Sequence, residues 1–172
     1  MWSTTLHSYR KKHSQITAFR HLFNYLKNHR QTLPKKEWGL FIFKSDIKKY
    51  GASIPNHDTS DLWHLLEKII PSHDPFFQLV KTSLRPYVLN EKQELELLPV
   101  GLPTGSPLEP LMTNLYLSDL DEELNQYGCF FRFGDDLLIV NDNKINFDKQ
   151  VNLLKKIITQ KQLHLNPEKT MT

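Results

Sequence analysis

The chain has a single cysteine, Cys129, in 172 residues, which excludes an internal disulfide and any zinc site built from several cysteines. No apolar run approaches the roughly 20 residues of a membrane span, so no membrane partner is expected. The first residues also lack the apolar stretch of a signal peptide, which makes a cytoplasmic location the expectation. Repeats and low-complexity segments are missing, which sets aside solenoids and flexible linkers. Acidic residues are scarce at one end only. Residues 1–50 hold eleven Lys and Arg against Glu37 and Asp46, a balance of +9, whereas the remainder balances at −6. A basic arm on an acidic body suits a polyanion on one side and a cation on the other, although solvated helix faces produce similar runs. What is present is ordinary: 39% hydrophobic and 24% charged residues, enough chain for one domain, or one and a fraction, with a proper core.

Periodicity supplies the elements. In "SQITAFRHLFNYLKNHR", Ile16, Phe19, Leu22, Phe23 and Leu26 share one stripe, predicting an amphipathic helix that starts near Ser14. "WGLFIFKSDI" reads as a strand ending at Asp46. "TSDLWHLLEKII" is a capped helix stopped by Pro71, and "DPFFQLVKTSL" starts another with Asp74 as N-cap and Pro75 at the first helical position. "NEKQELELLPVGLPTGSP" is loop and short strand. "PLEPLMTNLYLSDLDEEL" reads as one largely apolar helix, and Gly128 ends that segment. "INFDKQVNLLKKIITQK" is a helix with Phe147, Val151, Leu154 and Ile158 on one face, and "LHLNPEKT" a last short strand and turn. From Asp46 onward the order is β-α-α-α-β-β-α-β. That predicts an α/β (α+β) fold, a ferredoxin-like antiparallel sheet with helices on one face.

One stretch is awkward for a purely structural reading. "FFRFGDDLLIV" is a β-hairpin by pattern, with its turn at Gly134–Asp135, yet Asp136 re-enters the half-buried sheet beside Asp135. Two carboxylates about 4 Å apart repel by roughly 4 kcal/mol at an effective dielectric of about 20. A divalent cation converts that repulsion into a site with hard oxygen ligands. In the predicted sheet the Asp46 strand can lie beside this hairpin, and three carboxylates on fixed strands suit two divalent ions acting on a phosphoryl group. Spacing alone leaves this open beside the plainer alternative, in which Asp46 merely ends a strand.

At this point the chain resembles the palm of reverse transcriptases, by eye those of bacterial group II introns and retrons. "SDIKKYGASIPNHD", "GLPTGSPLEPLMTNLYLSDLD", "RFGDDLLIV" and "LHLNPEKT" resemble, in order, the family's motifs A, B, C and D. "SYRKKHSQITAF" resembles the basic stretch of the fingers, so the likeness runs from about Tyr9 to Thr170. The resemblance implies a partial fingers segment over residues 1–38 and a palm over 39–172, with no thumb. It implies RNA-directed DNA polymerisation on an RNA template and primer, with dNTPs as substrates and rNTPs as an alternative. A partner chain would supply the thumb. By the same resemblance Asp46, Asp135 and Asp136 hold two Mg²⁺ ions, with Mn²⁺ as a substitute, and Lys169 protonates the leaving pyrophosphate. The loop from Gly101 through Pro103 and Thr104 to Gly105 positions the incoming nucleotide, with Asn114 near its sugar. Tyr9, Arg10, Lys11 and Lys12 contact nucleic acid, and His13 stands beside them.

The pattern departs from the family at informative places. Members usually carry Phe or Tyr five residues after the motif A aspartate, against the ribose 2′-OH; here that position is Gly51, preceded by Tyr50. Either Tyr50 swings into the role or sugar discrimination is weak. Thr104 stands where Gln is common, and Glu109 where Ser is common. The GDD of motif C also suits an RNA-dependent RNA polymerase or a sugar-unselective enzyme. A third reading is a catalytically incomplete fragment that binds nucleic acid or protein.

Overall fold

The computed structural model describes residues 6–37 and 39–172. Helix α1, Gln15–Thr32, begins where Ser14 Oγ accepts from the Thr17 amide and Thr17 Oγ1 accepts from the Ser14 amide, a reciprocal cap. It ends at Leu33, held extended by the following Pro34. Strand β1 (Phe41–Asp46) leads into the single turn α2 (Tyr50–Ser53). Helix α3 (Asp61–Glu67) is capped by Ser60, and α4 (Pro75–Ser83) by Asp74 with Pro75 at its first position, as the sequence predicts. A hairpin of β2 (Tyr87–Leu89) and β3 (Leu95–Leu97) follows, then α5 (Glu109–Tyr116), α6 (Ser118–Leu124), β4 (Cys129–Phe133), β5 (Asp136–Asn141) and α7 (Lys144–Gln160).

The main sheet has the order β1-β5-β4, antiparallel throughout. Its register pairs Phe43 with Ile139 and Ile139 with Phe130. Strand alternation therefore puts Phe43, Ile139, Leu137, Phe130 and Arg132 on one face. The apolar members of that face join a core with Tyr116, Leu120, Leu124, Leu154 and Ile158 from α5, α6 and α7. Asp46, Asp136, Leu138, Phe131 and Phe133 fall on the other face. Helix α1 lies over part of that second face, leaving a cavity of about 410 Å³ walled by Phe19, Leu22, Phe131, Phe133, Asp136 and Leu138. The expected α/β fold is thus present, with α1 as the element outside the helical layer.

Four expectations are corrected. The apolar stretch expected as one helix breaks at Leu117 (φ −110°, ψ 15°) into α5 and α6. There Ser118 Oγ donates to the Leu115 carbonyl and Asp119 accepts from the Leu120 amide, so side chains compete with the helical ladder. The final strand is instead two isolated bridges, Ile47 with Leu165 and Lys44 with Met171, separated by a 3-10 turn at Pro167–Lys169. Pro167 has no amide to donate, and Asn166 caps the turn through the Glu168 amide. The β2–β3 hairpin replaces the expected loop and single strand; its residues are exposed, so no burial pattern marked them. The stripe on α1 is largely uncovered: Ile16, Phe19 and Phe23 are exposed, because the helix meets the sheet along a flank only.

Candidate active site

The carboxylates come together through strand pairing. Asp46, the last residue of β1, is the register partner of Asp136, the first residue of β5. Between β4 and β5 the chain turns on Gly134–Asp135, because Phe133 already pairs with Asp136. Gly134 has φ 65°, a conformation that costs glycine nothing and suits the first central position of a tight hairpin. The Ile47 amide donates to the Asp135 carbonyl, which ties the exit of β1 to the turn.

Their environments differ. Asp46 is 5% exposed; its Oδ2 accepts from Lys169 Nζ at 2.6 Å, while its Oδ1 is buried without a partner. Lys169, on the turn after α7, is otherwise in solvent, and the Asp46 carboxylate raises its pKa. Asp135 has its pKa raised by burial first, then by the charges of Asp136 and Asp46. Among the described residues no three side chains of His, Cys, Asp or Glu converge tightly enough to hold a metal ion. The donor set is nonetheless all hard oxygen, and Asp46 Oδ1 is a buried acceptor without a partner. Lys169 neutralises the other oxygen in the meantime, so the residues fit a divalent ion.

Beside Asp135 opens a cleft of about 220 Å³ lined by Tyr9, Tyr50, Gly51, Glu109, Pro110, Thr113 and Gly134. Its floor is stitched across the chain: the Leu102 amide donates to the Gly51 carbonyl, and the Gly101 amide to the Ile54 carbonyl. Gly101, at φ 100°, lies so near Ala52 that a Cβ would stand 3.3 Å from that carbonyl oxygen, which explains glycine there. Thr104 and Gly105 are exposed at the tip and Pro103 is half-buried, and the Gly105 amide donates to Glu109, which lines the cleft. Tyr50 does not swing out. It is buried, and its hydroxyl donates to the Thr113 carbonyl.

Asn114, expected near the sugar, is placed elsewhere. It is 1% exposed, its Nδ2 donates to the Ser8 carbonyl, and its Oδ1 accepts from Ser8 Oγ and from Arg132 Nη1. The amide has no capacity left on its acceptor side for a ligand. Of the basic stretch, Tyr9 (φ 51°) lines the cleft and Lys11 and Lys12 are exposed, whereas Arg10 Nη1 is engaged by the Leu6 carbonyl. His13 Nδ1 faces the Lys11 carbonyl.

Sequence reasoning missed the support beneath the turn. Arg132 is buried and forks onto Asp121 of α6, with Nε to Oδ1 at 2.7 Å and Nη2 to Oδ2 at 2.6 Å. Burial alone would press the guanidinium toward neutrality, and the bonds and charge of Asp121 overcome that and hold it charged. Arg132 also donates to the carbonyls of Asn114 and Gly134. Ser8, fully buried, accepts from the Gly134 amide at 2.9 Å. The hairpin that carries Asp135 is thus held from below by Arg132 and from the side by Ser8. The signal was present: Arg132 sits two residues from Phe130, on the core side of its strand, where a charge demands a partner.

The neighbouring His7 makes one consequence measurable. Its ring is buried against Phe131, His13 and His21, its amide donates to the Arg132 carbonyl, and its Nε2 has no partner. Burial, with the charges of His21, His13 and Arg10, lowers its pKa from 6.5 to about 4. Between those values the unfolded chain binds more protons than the folded one, so stability falls as pH drops through that window. Thermal unfolding at pH 7 and pH 5 should show a larger loss of Tm for the wild type than for His7→Phe; parallel losses would remove His7 as the cause.

Comparison with known proteins bears on the whole arrangement. The model of the family described as reverse transcriptase (RNA-dependent DNA polymerase) matches residues 2–172. No curated protein matches the sequence. Among solved structures, apo telomerase from Candida tropicalis superposes with a TM-score of 0.68 at 16% identity, over 92% of this chain and 32% of that one. The same enzyme truncated from its C-terminal domain gives 0.64 at 16% identity, over 88% and 34%. Telomerase from Candida albicans, in complex with a fragment of telomeric RNA, gives 0.65 at 16%, over 88% and 31%. The chain therefore spans about a third of the solved proteins it resembles, and at this identity the likeness speaks for the fold.

Proposed function

Because the chain belongs to the reverse transcriptase (RNA-dependent DNA polymerase) family, we propose that it is the palm of an RNA-directed DNA polymerase. A primer 3′-OH attacks the α-phosphate of the incoming nucleotide, a new P–O bond forms as the bond to the β-phosphate breaks, and pyrophosphate leaves. The observation that carries this reading is the register that sets Asp46 opposite Asp136, with Asp135 in the adjoining turn. These three carboxylates would hold two Mg²⁺ or Mn²⁺ ions, which when bound lower the pKa of the hydroxyl and neutralise phosphoryl charge.

The chain's own groups do the rest. Lys169 exchanges Asp46 for the leaving pyrophosphate and supplies its proton. Pro103, Thr104 and Gly105 form the edge against which the nucleotide lies, with Gly51 and Tyr50 beneath its sugar. Asn114 acts from below, keeping Ser8 and Arg132 in place under the turn. Tyr9 stacks on a base, while Arg10, Lys11 and Lys12 neutralise phosphates of an RNA template. That the C. albicans telomerase is solved with a fragment of telomeric RNA supports RNA as the polyanion. Residues 1–38 then serve as fingers and 39–172 as palm.

Primer extension on an RNA template with dNTPs tests the proposal. Extension with Mg²⁺ or Mn²⁺ that stops when EDTA removes the metal is the expected result. Retained RNA binding with no extension under any metal would overturn it and leave a nucleic-acid-binding module.

A further inference from the structure

Gly51 and Glu109 are 58 positions apart, and their relation is the least expected feature of the cleft. A Cβ built on Gly51 would stand 2.4 Å from Glu109 Oε1, and the three nearest atoms outside its own helix and chain neighbours all belong to Glu109. The space that a side chain at position 51 would occupy is therefore held by a carboxylate reaching across from the start of α5. The other oxygen, Oε2, accepts from the Gly105 amide at 3.3 Å, which fixes the group to the loop. A glutamate whose task was only to cap this loop, or to complement the helix dipole in the first turn, would need Oε2 alone. Glu109 lines the 220 Å³ cleft together with Asp135 and Tyr9.

We propose that Glu109 reads the sugar of the incoming nucleotide, its carboxylate accepting a hydrogen bond from the 2′-OH of a ribonucleotide. The inference rests on the polymerase reading above, because that reading puts the α-phosphate at Asp46, Asp135 and Asp136. The sugar is joined directly to that phosphate and must lie on the adjacent floor, which Gly51 and Glu109 form. Gly51 offers nothing to collide with a 2′-hydroxyl. A carboxylate accepts and cannot donate, so it favours a ligand with a hydroxyl at this place. A deoxynucleotide presents only C–H there and leaves a partly desolvated oxygen without its partner. The consequence is an enzyme that takes rNTPs at least as well as dNTPs.

The test uses an RNA template with a single templating cytosine and supplies GTP and dGTP separately. The wild-type ratio of kcat/KM, GTP over dGTP, should be near or above one. It should fall about tenfold or more in Glu109→Ala and by less in Glu109→Gln, which keeps an acceptor oxygen. A ratio unchanged in both variants overturns the assignment, as does a wild type preferring dGTP by about a hundredfold. Loss of the Gly105 contact lowers both efficiencies together and leaves the ratio alone, so the ratio separates sugar reading from loop support. If neither nucleotide is incorporated, the polymerase reading fails by itself. Calorimetric titration of GTP and dGTP onto the chain with primer–template then decides this inference: tighter GTP binding that is lost in Glu109→Ala upholds it, and equal binding overturns it.

Discussion

Arg132→Met should lower the folding stability of this chain by about 3–5 kcal/mol in urea denaturation, because it strands a buried carboxylate. Arg132 is 1% exposed and Asp121 is fully buried, and the guanidinium is the side-chain partner of both Asp121 oxygens. Truncation removes that partner, together with the bonds to the Asn114 and Gly134 carbonyls. Replacing both members of the pair is a different experiment. Arg132→Met with Asp121→Leu removes the stranded charge as well as the bond, and should recover most of the lost stability. The recovered fold should still be a poor catalyst, since the Gly134 carbonyl loses its donor and the turn keeps only its ties to Ser8 and Ile47. A single variant that loses less than about 1 kcal/mol would mean that water reaches Asp121 and the pair is not dry.

Asp135→Asn should show the opposite balance. Incorporation should fall by about 10²–10³-fold or more, since one of three charged ligands for the reacting phosphate is gone. Stability without metal should rise slightly, by up to about 1 kcal/mol, because the change relieves repulsion among Asp135, Asp136 and Asp46. Adding Mg²⁺ should raise the Tm of the wild type and leave that of the variant nearly unmoved. Asp46→Asn should lose activity in the same way yet gain no stability, for it also gives up the ion pair with Lys169. A parallel loss of activity and stability in Asp135→Asn would make the turn structural.

Local signals in the sequence survived translation into structure, and pairings across distance largely did not. The caps at Ser14, Ser60 and Asp74 lie where a polar residue precedes an apolar period, because capping depends on three or four neighbouring residues. The hairpin around Gly134–Asp135 is legible for the same reason. That Asp46 and the hairpin tip could share one edge of a sheet is legible in the pattern, and the register sets Asp46 opposite Asp136. The break at Leu117 was invisible because apolar residues continue through it and the cause is hydrogen bonding by Ser118 and Asp119. Asn114 reads as an ordinary helix amide until Ser8 and Arg132 arrive beside it from 106 and 18 positions away. Glu109 over Gly51 is of the same kind: in the sequence each is a separate departure from the pattern, and only the fold gives them a common space.

The contact between Ser8 and Gly134 spans 126 positions, which has a consequence for how the chain is made. Closing so long a segment is slow and depends on everything between its ends being in place. During synthesis the arm must wait, its basic residues without a docking site, until the turn has left the ribosome. Tyr9 takes its position in the cleft with Asp135 in the same event that brings Ser8 under Gly134. The basic arm and the carboxylates of the cleft therefore come together in one step. A nascent chain stopped before Gly134 carries Asp46 and the basic residues without the turn that brings them together.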